Sequence, residues 1–313
     1  MKAELIVNLT AGGGKPKRQL EFILKFLKEN KLIFTTSYTN HQKDAVALAK
    51  NASDNGVELI ISVGGDGTIN EIINGIMQSK NHPALGIIPL GWANDFIKSV
   101  NIPPNTIEAC KIILKGNTQK IDLGLINKQI YFANICGIGF DAEITHLANQ
   151  MKDRHPDWHF LATFVYVFAT IRKLLAPFSY HLVKVKINQE EIKTKILFIA
   201  TGNGKVYGGK FKITPNALVD DGLLDICLVK DLGRLKYLAI IPKAIKGTHE
   251  KVKGIHFYKT KEVIIQSEKP IMAQVSGEEI KEQKQFNITV LPKSLKLIVP
   301  NGNTVMSDIK RVR

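Results

Sequence analysis

In residues 62–71, SVGGDGTINE, three glycines (Gly64, Gly65 and Gly67) surround Asp66 directly after an apolar run and directly before a stretch of helical period. Neither a strand nor a helix needs such glycines, which permit backbone angles and close approaches that side chains forbid. A strand, this loop and a helix in that order aim free backbone N–H groups and a positive helix end at a phosphate. Asp66 would repel that phosphate unless a sugar hydroxyl, a base or a divalent cation lay between them. The loop matches neither the dinucleotide fingerprint GxGxxG nor the P-loop GxxxxGK[ST], so those mechanisms are not licensed. Taken alone, it also reads as a tight strand-to-helix turn with Thr68 as N-cap. Two further stretches shift the balance. NLTAGGGK offers Asn8, flexible glycines and Lys15, suited to oligophosphate oxygens, and PLGWANDF offers a loop whose Asn94 and Asp95 can cap a helix. Three polar glycine loops at one sheet edge favour nucleotide binding.

The elements that must position these loops alternate regularly over the first 120 residues. Short apolar runs, ELIVNL (4–9), LIFTTSY (32–38), ELIISV (58–63) and ALGIIPL (84–90), are followed by segments of helical period at 17–30, 42–53, 68–79 and 93–100. In the first of these, Leu20, Ile23, Leu24 and Leu27 share one face. Four such units predict a parallel sheet with helices on its faces, whose ligands bind at the carboxyl ends of the strands. After IDLGLI (121–126) the pattern changes to strand-like runs between polar turns (HLVKVKI, KTKILFIAT, LLDICLV, EVIIQS, FNITVL), with one helical interruption at 158–175. The expectation is an α/β domain over 1–122, a mainly antiparallel second domain over 123–300 and a basic, loosely held tail over 301–313.

Composition bounds the function. At 313 residues and 44% hydrophobic content the chain is long and apolar enough for two packed cores. The net charge of +15 is uneven: 14 Lys and Arg face 11 Asp and Glu through Asp122, whereas 29 face 17 beyond it. That excess is either a solvated lysine-rich surface or an attraction to an anionic membrane. No zinc-finger spacing, ribonucleoprotein motif or basic zipper supports a nucleic-acid partner. The N-terminus carries no cleavable leader pattern, and the apolar stretch at 158–178 meets Arg172 and Lys173 too early to span a bilayer. Cys110, Cys136 and Cys227 are widely spaced and odd in number, as expected of reduced thiols in a cytosol. His155 and His159 lack a third ligand and read as surface residues.

The stretches NLTAGGGK, GGDGTINE, PLGWANDF, IDLGLINKQIYFANICGIGFDAEI, ITPNALVDDGLLDI and SGE, in this order and with Thr39, resemble the bacterial diacylglycerol kinase-like lipid kinases, relatives of sphingosine and ceramide kinases. The resemblance runs through essentially the whole chain. It implies ATP-dependent phosphorylation of a lipid hydroxyl, an NAD kinase-like nucleotide domain and a β-sandwich lipid domain. It implies ATP contacts from Thr39 and from Gly65, Asp66, Gly67, Thr68, Ile69, Asn70 and Glu71. It also implies a Mg2+ ion on the Leu218 and Leu223 carbonyls and the Asp221 carboxylate, oxygen ligands that suit a hard cation. Read as sequence alone, LVDDGLLD is a hairpin turn with Asp-Gly at its tip.

Two residues depart from the family pattern. Ser276 stands where an aspartate is usual in Asp-Gly-Glu, and Trp92 where a threonine usually follows PLG. Phosphoryl transfer to an alcohol needs a proton acceptor and a metal. Ser276 cannot accept a proton as a carboxylate does, which leaves Glu278 as the expected base at a site of reduced activity. Trp92 either stacks on a base or fills the nucleotide site. The aromatic stretch Trp158, Phe160, Phe164, Tyr166 and Phe168 is read as core, or as an interfacial helix face. The expectation is a cytoplasmic, peripherally membrane-associated lipid kinase using ATP and Mg2+. Its alternatives are a catalytically impaired lipid- or nucleotide-binding regulatory protein and an NAD kinase-like enzyme acting on a soluble substrate. A homo-oligomer is compatible with the sequence.

Overall fold

The computed structural model of the chain describes residues 2–154 and 162–300. These form two compact units: residues 2–123, 218–221 and 291–300 in the first, and residues 124–154, 162–217 and 222–290 in the second. Where the sequence suggested one cut near residue 122, the chain also returns to the first unit twice. His155, His159, Trp158, Phe160 and the tail at 301–313 lie outside the described residues.

In the first unit, β1 (Lys2–Val7), β2 (Ile33–Tyr38), β3 (Leu59–Gly64) and β4 (Ala84–Pro89) pair in parallel in the order β2–β1–β3–β4. Each strand is followed by a helix: α1 (Ala11–Glu29), α2 (Asp44–Asp54), α3 (Asp66–Met77) and α4 (Asp95–Ser99). All six residues of β3 are buried, because a central parallel strand is covered on both faces and LIISVG has the near-continuous apolar run this requires. Ile23 and Leu27 of α1 bury against Leu5, Ile61 and Ile88, as their spacing predicted. A further helix, α5 (Thr106–Lys115), was not among the four predicted; Asn105 caps it by accepting the Glu108 N–H (3.1 Å), and left-handed Gly116 closes it.

The second unit is antiparallel. It contains β6 (Ile130–Phe132), β7 (Ile135–Gly139), β8 (His181–Ile187), β9 (Glu190–Gly202), β10 (Leu224–Lys230), β11 (Ile255–Thr260) and β12 (Glu262–Val275). The division between units falls within β5 (Thr118–Ile126) and β13 (Glu278–Ile298). Strands β11–β10–β9–β7–β12–β13 are successive neighbours, and β8 pairs with both β9 and β12. HLVKVKI of β8 alternates exposed lysines with buried valines and isoleucine, the pattern of a strand with one wet face.

Two sequence expectations are corrected in this unit. In place of one helical interruption there are three helices, α6 (Phe140–Arg154), α7 (Ala162–Leu175) and α8 (Arg234–Lys246). The polar sequence of α6 and the internal Pro242 of α8 dilute the periodic signal. The Asp221–Gly222 turn also tips no hairpin, because β10, which follows it, pairs with β9 and β11. Among the described residues no helix is long and apolar enough to cross a membrane. Cys110, Cys136 and Cys227 are buried and unbridged.

Candidate functional site

The three glycine loops of the first unit meet at the carboxyl ends of β1, β3 and β4. Gly12, Gly13 and Gly14 at the start of α1 all adopt left-handed angles (φ 56°, 70° and 80°), so the loop bends before the regular helix begins. A side chain at Gly12 would overlap the Leu90 carbonyl, one at Gly13 the Trp92 ring, and one at Gly91 the Gly65 Cα and the Asn94 carboxamide. The glycines are therefore required by loop-to-loop contact as well as by backbone angle.

Helix α3 opens one residue earlier than sequence suggested. Gly65 is the extended N-cap residue and offers no side-chain acceptor, so the first N–H groups of the helix receive no side-chain cap. Thr68 lies in the first turn instead, where its hydroxyl accepts from Asn8 Nδ2 at 3.1 Å and ties the end of β1 to the GGDGT loop. Asn8 Oδ1 meanwhile accepts from the Thr10 N–H and hydroxyl at 3.1 and 2.8 Å.

Asp66 accepts the Phe96 N–H at 3.0 Å, so the carboxylate holds the start of α4. Its burial, and secondarily the charge of Asp95, push the Asp66 pKa above its ordinary value, against the bonds from the Phe96 and Asp95 N–H groups. Asp95 is buried and pairs with Lys98 at 2.7 Å. Asn94 stands in the left-handed region (φ 47°) and accepts the Gly91 N–H at 2.9 Å, bracing the loop rather than capping α4 with its side chain. Lys15 donates to the Gly91 carbonyl (3.3 Å) with its ammonium 5.2 Å from the Trp92 ring centre, and Trp92 is 46% exposed.

Three residues expected at the nucleotide have other work in the fold. Both carboxylate oxygens of buried Glu71 accept backbone N–H groups, from Lys43 at 2.9 Å and Ala45 at 3.2 Å. Glu71 thus caps α2 and fixes the segment that follows Thr39, whose own N–H bonds the Val7 carbonyl at 3.0 Å. The Ile69 side chain lies in the core. Asn70 is buried with its side-chain oxygen unpartnered.

In the second unit, Ser276 and Gly277 form the two-residue turn between paired Val275 and Glu278, both in the left-handed region (φ 52° and 82°). Helix α6 holds this turn. Asn149 Nδ2 donates to the Gly277 carbonyl (3.3 Å) and to Glu279 Oε1 (3.0 Å), while His146 Nδ1 lies 2.8 Å from Glu279 Oε2. Beneath it, buried Gln274 accepts the Gly277 N–H (3.1 Å) and donates to Asp141 Oδ2 (3.1 Å). Burial raises the Asp141 pKa to about 7, with Gln274 opposing the shift. The absent side chain of Gly137 makes room for that carboxyl. Sequence reasoning did not single out Asp141, Gln274, Asn149 or His146; the one available signal was the spacing Gly137–Asp141 within GIGFDAEI.

Of the expected metal ligands, Leu218 and Asp221 fall in the first unit and Leu223 in the second. Asp220 accepts from Gln119 at 2.9 Å through Oδ2, and its Oδ1 is buried with no hydrogen-bond partner. Among the described residues no group of three or more His, Cys, Asp or Glu side chains could hold a metal. A ligand set of one carboxylate and two carbonyls lies outside that criterion.

The sequence was compared with known proteins. A family model described as "Diacylglycerol kinase catalytic domain" matches residues 2–126, and one described as "YegS C-terminal NAD kinase beta sandwich-like domain" matches residues 134–299. The chain is 31% identical to a protein of Staphylococcus carnosus named "Diacylglycerol kinase", covering 88% of each chain. It is 30% identical to a "Probable lipid kinase YegS-like" of Chromohalobacter salexigens, covering 84% of this chain and 83% of that one. A solved structure described as a diacylglycerol kinase from Bacillus anthracis str. Sterne superposes with a TM-score of 0.74 at 26% identity, over 96% of this chain and 97% of that one.

Proposed function

Because the chain belongs to the bacterial diacylglycerol kinase-like lipid kinase family, we propose that it transfers the terminal phosphoryl group of ATP to the hydroxyl of diacylglycerol or a related lipid. The observation that carries this reading is the meeting of three glycine loops at one end of the parallel strands, beside a helix start with no side-chain cap. Such a surface presents backbone N–H groups to phosphate oxygens with no side chain in the way. Lys15 would add a positive charge there, while Asn8 and Asn94 keep the loops in register. Thr39 and Trp92 border the same loops and are assigned to the nucleotide's sugar and base.

Glu278 is the proposed acceptor of the lipid hydroxyl proton. Serine at 276 takes away the second carboxylate expected in this turn, and that substitution supports a secondary reading, a weakly active or non-catalytic lipid- and nucleotide-binding regulator. Mg2+ is assigned to Asp221 with the Leu218 and Leu223 carbonyls; bound there, it would supply charge neutralisation and hold the loop. The unpartnered buried oxygen of neighbouring Asp220 suits a segment built to meet a cation. The deciding experiment incubates the purified chain with labelled ATP, Mg2+ and diacylglycerol, ceramide, sphingosine or NAD in detergent micelles. Label in a lipid supports the kinase reading. Label in NAD alone would replace it with a soluble-substrate kinase, and ATP binding without transfer would leave the regulatory reading.

A further inference from the structure

We propose that α8, together with the outer stripe of α7, docks the second unit onto an anionic bilayer surface; the lipid-kinase reading supplies only the reason for a bilayer to be approached. Helix α8, RLKYLAIIPKAIK, contains four basic residues and no acidic one. Its Tyr237, Ile240 and Ala244 pack inward against the cluster that includes Phe140 and Cys227. Leu235, Leu238, Pro242 and Ile245 recur at helical spacing on a different stripe, which faces solvent, with Leu235 84% exposed. At 100° per residue, Lys236, Lys243 and Lys246 border one edge of that stripe and Arg234 the other. The helix therefore has two apolar faces, one filling the core and one left outside.

Helix α7 repeats the arrangement. Val165 and Ala169 pack on Ala148 of α6, while Phe164, Val167, Phe168, Ile171 and Leu175 form an exposed stripe. The end of the α7 segment meets the start of α8 through Phe178, whose ring centre is 5.7 Å from that of Tyr237 and 5.8 Å from the Arg234 guanidinium.

Single exposed leucines are ordinary, but two apolar stripes with a cationic border and no acid on α8 are the composition of an interfacial helix, whose lysine stems lie along the apolar face and reach headgroup phosphates. Charge complementarity selects this occupant over two others. A second copy would set lysine row against lysine row, and a nucleic acid would leave the leucines in water.

The test sediments the full chain with vesicles of phosphatidylcholine alone or with 30% phosphatidylglycerol, at low salt and at 0.5 M salt. Wild type should pellet with the anionic vesicles and release as salt rises, since exposed charges are screened. Each basic residue at such a surface is worth about fivefold in partition, so Lys236→Glu with Lys243→Glu should weaken binding by at least about twenty-fivefold. Leu235→Glu with Leu238→Glu should weaken it at least tenfold, with the thermal melt and ATP binding unchanged in both variants. Wild-type protein that ignores anionic vesicles, or double variants that bind as wild type does, would overturn the proposal. So would a dimer that the leucine variant dissociates without loss of vesicle binding, or wild-type binding to DNA that matches its binding to vesicles. Intact vesicle binding by a wild type that phosphorylates no lipid would count against the kinase reading and for this surface.

Discussion

The GGDGT loop and the Ser276–Gly277 turn are both short glycine turns bordered by carboxylates, yet they are held in opposite ways. The first is fixed by what is missing: Gly12, Gly65 and Gly91 let three backbones touch, and a single Cβ would part them. The second is fixed by what is added, since Gln274, Asn149 and, through Glu279, His146 brace a turn that adjoins Asp141. A site built by omission tolerates almost no added volume. A site built from side-chain hydrogen bonds fails through charge and protonation.

The largest expected effect breaks the first region. Gly65→Val places branched carbons against the Gly91 Cα, already 3.0 Å from where a Cβ would stand. Calorimetry should show ATP affinity falling by at least about a thousandfold, ~4 kcal/mol, in a protein that still folds. Unchanged affinity would reduce the loop to a turn.

The next probes the second region through pH. Asp141 has its folded pKa raised from 3.8 to about 7, so its contribution to stability is fully present below pH 3.8 and is lost as pH rises toward 7. Asp141→Asn keeps an acceptor for Gln274 and removes that loss, giving stability at pH 8 on the order of 3 kcal/mol above wild type in denaturant titrations. Equal pH profiles for the two proteins would show that the carboxyl is not held in a buried, uncompensated state.

A smaller effect sharpens the chemical contrast. Ser276→Asp restores a carboxylate at a left-handed position that aspartate tolerates well, and should raise lipid phosphorylation about tenfold, ~1.4 kcal/mol of barrier. Glu278→Gln should remove what activity exists. Robust turnover that neither substitution alters would place the base elsewhere.

The smallest returns to the first region. Trp92 borders the glycine loops at 46% exposure, and Trp92→Thr should change ATP affinity about threefold, ~0.6 kcal/mol. Quenching of Trp92 fluorescence by ATP, measured in a Trp158→Phe background, checks its proximity; an unchanged spectrum together with unchanged affinity would remove Trp92 from the site.

The sequence by itself determined the elements whose periodicity is strong and whose partners are near in the chain. The alternation over the first 120 residues, the apolar run of β3 and the Leu20–Leu27 face carry their own burial pattern, and the glycine loops follow from backbone angles that only glycine adopts freely. Tertiary structure alone decided which side chains the loops and turns recruit. Glu71 sits within the GGDGTINE motif but caps α2, because the α2 N-terminus lies over α3 with its N–H groups unmet. Asp141 and Gln274 are separated by 133 positions, and no local pattern marks them as partners until β7 and β12 pair and bury both. The outer stripe of α8 was hidden for a related reason: sequence periodicity reports that a residue lies on an apolar face, whereas packing determines which of two such faces the core accepts and which remains in water.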